Sequence, residues 1–166
     1  MNVPSLVGDR ARLRPWCVAD AEWYVAARDD LIFQWTTESP ALTVAEAQAA
    51  IAALADDDAV ASFAVCDSDD RLVGNVTAVI DDGTAEVSYF LAPEGRGRGL
   101  ASDAVGLLTG WLVGAMEVDR VVATVAAGNV ASTAVLEATG FRVVDTTTHA
   151  ALGESEIWEL RPADQA

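Results

Sequence analysis

The chain has 166 residues, 52% of them hydrophobic, with a mean hydropathy of +0.25 and a formal charge of −16. Such apolar content excludes a disordered chain, and the length suits one domain with a sizeable core. The acidity disfavours nucleic acid and anionic membranes as partners; it favours a cationic amine or a basic polypeptide tail, or serves solubility alone.

All ten basic residues are arginine. No apolar run is long enough to cross a bilayer: the longest helical stretch, residues 100–116, is interrupted by Asp103, Gly106, Gly110 and Gly114. Residues 1–4 lack the basic segment and apolar run of a secretory signal, so a cytoplasmic location is expected. Cys17 and Cys66 are expected to be buried and inert, because a chain this apolar needs no covalent staple.

Residues 11–15 alternate and read as a first strand, and Asp20 is placed to cap a helix over 21–28. Thr43 and Glu46 have the spacing of a capping box and open an alanine-rich helix to about residue 55. Between them, residues 33–40 read as a loop. Three β-rich runs follow at 62–66, 72–80 and 84–91, joined by acidic turns, and predict an antiparallel meander. A helix over 100–116, an apolar strand at 120–125, a helix over 132–139 stopped by Gly140, and strands at 141–147 and 154–160 complete the order. Nothing marks a linker or a repeat. The succession β-α-α-β-β-β-α-β-α-β-β predicts a single α/β (α+β) domain over 1–166, with a mixed, mostly antiparallel twisted sheet of about seven strands and helices on both faces.

The chemistry concentrates where the strand at 84–91 ends. Pro93 breaks it, Gly95, Gly97 and Gly99 alternate with Arg96 and Arg98, and a helix begins near Leu100. Glycines let the backbone curl so that successive N–H groups point inward, and the new helix adds its unpaired amides and positive dipole end. Such a place binds phosphate or diphosphate, and the two arginines add positive charge. The G-x-G-x-x-G dinucleotide pattern fails, because its third glycine falls on Leu100 or Ser102; the P-loop pattern fails for want of lysine. A phosphate binder on another fold, or a plain glycine turn, remain as rival readings.

Arg96-x-x-Gly99-x-Ala101 resembles the acetyl-CoA signature R/Q-x-x-G-x-G/A of the GNAT superfamily of N-acetyltransferases. The preceding residues 86–93, Asn129-Val130-Ala131-Ser132, residues 135–141 and the opening Arg12-Leu13-Arg14-Pro15-Trp16 are similar, in register, to its Rim branch (RimJ/RimL-like), which acetylates protein N-termini. The resemblance implies that the turn holds the diphosphate of acetyl-CoA through the backbone N–H groups of Gly97, Arg98, Gly99, Leu100, Ala101 and Ser102, with Arg96, the first residue of the signature, also among the cofactor-binding residues. It also implies that Phe90 and Leu91 lend backbone groups to the pantetheine arm, that Asn129 contacts the cofactor, and that the thioester is aimed into a gap in the sheet.

Acetyl transfer needs a neutral amine, a donor to the developing oxyanion and a proton for the leaving thiolate. Alternation puts Glu86, Ser88 and Phe90 on one face of their strand. Glu86 is the candidate base, acting through a water, the rival reading being a solvated strand glutamate. Many GNAT enzymes use a tyrosine as the acid where this chain has Leu136. The Rim branch shares the departure and implies Ser132 instead, a residue that also suits the cap of its helix. His149, the sole histidine, is more simply incidental, and no metal site is expected. The five tryptophans read mostly as core, with Trp35 near Glu38 as a residue for the acceptor side. The expected acceptor is a protein N-terminal amine. The alternatives are a small cationic amine (polyamine, amino acid or aminoglycoside-like) and a non-catalytic acyl-CoA sensor. Either a monomer or a homodimer suits this reading.

Overall fold

The computed structural model describes residues 1–161; the expected domain runs to residue 166, and its last five residues lie outside the described part. The strands are β1 (Leu6–Val7), β2 (Arg12–Pro15), β3 (Val60–Cys66), β4 (Leu72–Asp81), β5 (Thr84–Leu91), β6 (Arg120–Ala126), β7 (Arg142–His149) and β8 (Gly153–Leu160). The helices are α1 (Ala21–Ala26), α2 (Asp30–Trp35), α3 (Val44–Ala53), α4 (Leu100–Ala115) and α5 (Val130–Ala138). All eight strands form one sheet in the order β1-β2-β3-β4-β5-β6-β8-β7. The α/β class, the mixed sheet and the meander β3-β4-β5 agree with expectation. The extra strand is β1, whose two residues pair with Leu13 and Arg12 and are too few to carry any periodicity.

The sheet is antiparallel except at one place. β5 and β6 run parallel, and they pair only at Thr84↔Arg120, Ala85↔Val121 and Glu86↔Val122. Beyond Glu86 the two strands diverge, and a wedge opens between their C-terminal halves. A parallel neighbour is forced here because α4 carries the chain back across the sheet before β6 begins.

Period-2 alternation sorts the sheet into two faces. Leu13, Phe63, Val76, Val87, Val121 and Ala123 lie on one, packed against Leu100, Ala104, Val105, Leu108 and Leu112 of α4 and Leu136 of α5. Their burial is the main term holding the layers together, at ~1.5–3 kcal/mol for each large side chain. On the opposite face the Trp16 indole N–H donates to Asn75 Oδ1 at 3.2 Å, and the Tyr24 ring packs edge-on against Phe90. That lays α1 over this face, with α3 behind it.

Several local expectations are corrected. Asp20 makes no side-chain cap to α1; its carboxylate is drawn instead into a two-point pair with Arg14 (2.7 and 3.0 Å) and accepts from Cys17 N–H. Residues 33–40 are not all loop, because Asp29 accepts from Ile32 N–H at 3.1 Å and so caps α2. Cys66 is buried but Cys17 is exposed. Of the tryptophans only Trp158 is fully buried, the others lying half-buried at the edges of the core. No described helix is long and apolar enough to cross a membrane.

Candidate active site

The wedge between β5 and β6 opens into a cavity of about 660 Å³. Its lining includes β5 from Glu86 to Leu91, Ala123, Thr124 and Val125 of β6, and the first turns of both α4 and α5. Leu31, Ile32 and Trp35 of α2 stand on one side of the mouth, and His149 and Leu152 of the β7–β8 hairpin contribute from the other strand pair. Two helix N-termini, each with its partial positive charge, therefore converge on one space.

The turn before α4 has the form that its glycines suggest. Gly97 and Gly99 sit at φ +71° and +73°, in the left-handed region, with Gly99 as the N-cap of α4. Among the described residues, none of the N–H groups from residue 97 to residue 102 has a hydrogen-bond acceptor. A run of free amides curled around a left-handed pair is the chemistry of a diphosphate cradle, and a methyl built on Gly97 meets nothing within 4 Å. The residues present therefore fit the cofactor. Phe90 and Leu91 line the adjoining channel, with Leu91 across from Gly74, where a Cβ would come within 2.5 Å of the Phe90 carbonyl.

The two arginines do not add free charge to this cradle. Arg96 is paired through both terminal nitrogens with Asp29, each at 2.8 Å. Arg98 reaches the buried carboxylate of Asp67 at 3.1 Å and is not among the residues lining the cavity. Asp67 itself accepts from the N–H groups of Asp69 and Arg71, so Arg98 ties the β3–β4 turn to the α4 entry. The remaining cation near the turn is Arg10, which sequence reasoning passed over; it donates to Arg98 O at 3.2 Å. Its own backbone N–H, with that of Ala11, is held by Asp103 of α4 at 2.8 and 2.7 Å.

Alternation does place Glu86, Ser88 and Phe90 on one face of β5. Glu86 lies at the apex of the wedge, opposite Val79 and Val122, and accepts from the Thr124 hydroxyl at 3.0 Å. Among the described residues no cation pairs with it. Thr124 was not singled out from the sequence; it follows from β6 alternation only once β5 and β6 are known to be neighbours.

Ser132 approaches from the other face of the sheet, on α5. It does not cap the helix: Asn129 does, its Oδ1 accepting from Ser132 N–H while its Nδ2 donates to Ser132 Oγ, both at 3.2 Å. Ser132 Oγ therefore receives one hydrogen bond and keeps its own proton to give. The same bonds use the Asn129 side chain within α5, although Asn129 still lines the cavity. Tyr89 donates to Ser132 O at 3.3 Å, and burial pushes its phenol up to about 12. Leu136 is fully buried in the core, so the position of the missing tyrosine does not face the cavity.

His149 Nδ1 accepts from the N–H groups of Ala151 (3.1 Å) and Leu152 (3.2 Å). A neutral imidazole bonded in this way carries its proton on Nε2, so the ring offers a donor and no base. Glu38, the other lining carboxylate, is occupied by the Tyr24 hydroxyl at 2.7 Å and the buried Arg28 at 2.9 Å. Arg28 in turn packs over the Tyr24 and Phe33 rings. Among the described residues, no cluster of His, Cys, Asp or Glu is arranged to hold a metal.

The family described as the Acetyltransferase (GNAT) domain matches residues 10–142, most of the chain. The chain belongs to the GNAT acetyltransferase family. No curated protein matches this GNAT sequence significantly. Among solved structures, Mycobacterium smegmatis RimJ in complex with a CoA disulfide superposes with a TM-score of 0.87 at 19% identity, over 97% of this chain and 88% of that one. A ribosomal-protein-S5-alanine acetyltransferase from Vibrio fischeri gives 0.86 at 19%, covering 99% and 100%. Spermidine N-acetyltransferase from Vibrio cholerae, with CoA and spermine, gives 0.83 at 18%, covering 93% and 96%. At these identities the likeness is one of fold.

Proposed function

We propose that this GNAT enzyme moves the acetyl group of acetyl-CoA to the α-amine at a polypeptide N-terminus. The observation that carries it is the wedge itself: free amides for a diphosphate at one end, and one unpaired carboxylate, Glu86, at the apex. The cofactor supplies an acetyl group activated as a thioester. Residues 97–102 hold its diphosphate, and β5 beyond Glu86, having no ladder partner on the wedge side, offers its backbone to the arm.

An α-amino group titrates near ~8, so a modest pull on its proton leaves it nucleophilic. The amine enters neutral, its ammonium proton lost to solvent; Glu86, directly or through a water, takes a second proton from the nitrogen as it attacks the carbonyl carbon, the C–N bond forms and the C–S bond breaks. Ser132 Oγ donates its proton to the departing sulfur and recovers one from solvent. Holding both partners in line in a ternary complex supplies much of the rate.

The acceptor end favours a peptide over a polyamine. Glu38 is neutralised by Arg28, so Glu86 is the one lining carboxylate left for a cation, whereas a polyamine brings several charges. His149 presents an N–H donor, which matches a peptide carbonyl and has no partner on an alkylamine. Leu31, Ile32, Trp35 and Leu152 supply apolar surface for a first side chain.

Thiol release from acetyl-CoA, measured over N-terminal peptides, amino acids and polyamines, tests the proposal. Turnover should be greatest on peptides, and Glu86→Gln and Ser132→Ala should each lower kcat by about 10²-fold or more. Turnover on polyamines alone removes the peptide reading. CoA binding without turnover on any amine makes the chain an acyl-CoA sensor.

A further inference from the structure

Arg96 begins the glycine turn, yet its guanidinium is turned to the acceptor side of the cavity. Nη1 and Nη2 each donate to one oxygen of Asp29 at 2.8 Å, and Nε donates to Leu91 O at 3.1 Å. Three of the five N–H donors, one on each nitrogen, are thus engaged, in a geometry where arginine is not replaceable by lysine. Asp29 is the N-cap of α2, accepting from Ile32 N–H, and lies 67 residues from Arg96 in the chain.

α2 has only six residues, far below the length at which a helix holds itself in water. No other element packs heavily on it, and Leu31 is half exposed. Its C-terminal end is closed locally, by Thr36 donating to Ile32 O. Ile32 is buried, so apolar packing also holds the helix; the Arg96–Asp29 pair is the ion pair that ties it to the cofactor turn, on a helix that presents Leu31, Ile32 and Trp35 to the cavity.

We infer that Arg96 is a positioning residue for the acceptor amine: its side chain straps α2 to the cofactor turn, and its own N–H is taken by Pro93 O, which leaves the diphosphate to residues 97–102. The inference rests on the acetyl-transfer reading for its kinetic arm, and stands apart from it in two others.

Arg96→Gln, Asp29→Asn and the double variant test it. The measurements are CoA affinity by calorimetry, peptide KM and kcat at saturating acetyl-CoA, and amide hydrogen exchange over residues 32–36. Each single variant breaks the two-point ion pair while the cap of α2 is kept, and should raise the peptide KM about three- to tenfold. Both kcat and CoA affinity should stay within about twofold, a loss of uniform acceptor binding. Exchange over 32–36 should quicken, and the double variant should be no worse than either single one. A tenfold loss of CoA affinity in Arg96→Gln but not in Asp29→Asn would make the guanidinium a diphosphate ligand and overturn the inference. Unchanged exchange and unchanged KM in Asp29→Asn, the milder surface change, would overturn it as well. If the unaltered enzyme acetylates no amine, the acetyl-transfer reading fails; the CoA and exchange arms then decide the strap by themselves.

Discussion

Replacing Gly97 by alanine separates what the cofactor turn costs the fold from what it does. Gly97 stands at φ +71° with open space where a Cβ would go. The folded state loses only the backbone preference, ~1–2 kcal/mol for an L-residue in the left-handed region. About 0.4–1 kcal/mol returns because alanine has fewer unfolded conformations to lose. A net loss of about 1 kcal/mol lowers Tm by about 2–4 °C in a chain of this size. The cofactor suffers more, because the new methyl stands beside the six free amides, where a phosphate oxygen must approach to hydrogen-bond distance. Losing one charge-assisted hydrogen bond, at ~1.5–3 kcal/mol, weakens CoA by about 10- to 100-fold. Calorimetric CoA titration and melting with and without CoA give both numbers on the same samples. CoA affinity within about twofold of the parent would refute the cradle. A Tm drop beyond about 8 °C would refute the claim that the turn carries no packing load.

Two further outcomes are expected. Leu136→Ala empties a fully buried site and should cost about 2–5 kcal/mol, read as a fall in denaturant midpoint with unchanged slope; a cost below about 0.5 kcal/mol would contradict its place in the core. Asp29 is held down to about 2, first by the Arg96 guanidinium and also by Ile32 N–H. A depressed carboxyl stabilises the fold above its unfolded value near ~3.9 and loses that contribution as pH falls through about 2. A third of the Asp29 side chain is exposed, so the contribution is discounted to about 1 kcal/mol. Stability curves of the parent and Asp29→Asn should part above pH ~4 and converge near pH ~2; parallel curves across that range would remove the linkage.

Much of the fold was legible because its signals are short in range. The capping box of Thr43 and Glu46 forms as read, and β5 ends where Pro93 follows. The alternation of Glu86, Ser88 and Phe90 holds because a paired strand has a period of two whatever lies beside it. α2 was missed although Asp29 and Ile32 carry the spacing of a cap, since six residues show too little periodicity to outweigh a loop. Asn129 and Ser132 are both good caps three residues apart, and the choice falls to where the chain leaves β6.

From the sequence alone come the α/β class, the meander, the glycine turn at a helix mouth and the family signature, each written in residues within a turn or two of one another. Folding in three dimensions decided the rest. It made Arg96 a partner of Asp29 and Arg98 a partner of Asp67, sent Cys17 to the surface, gave Thr124 to Glu86, and parted β5 from β6 after three residue pairs. Those outcomes depend on which distant segments meet, and a guanidinium among many carboxylates takes whichever one the returning backbone brings to its fork. Local pattern has no term for that return, whereas the packed sheet allows only one.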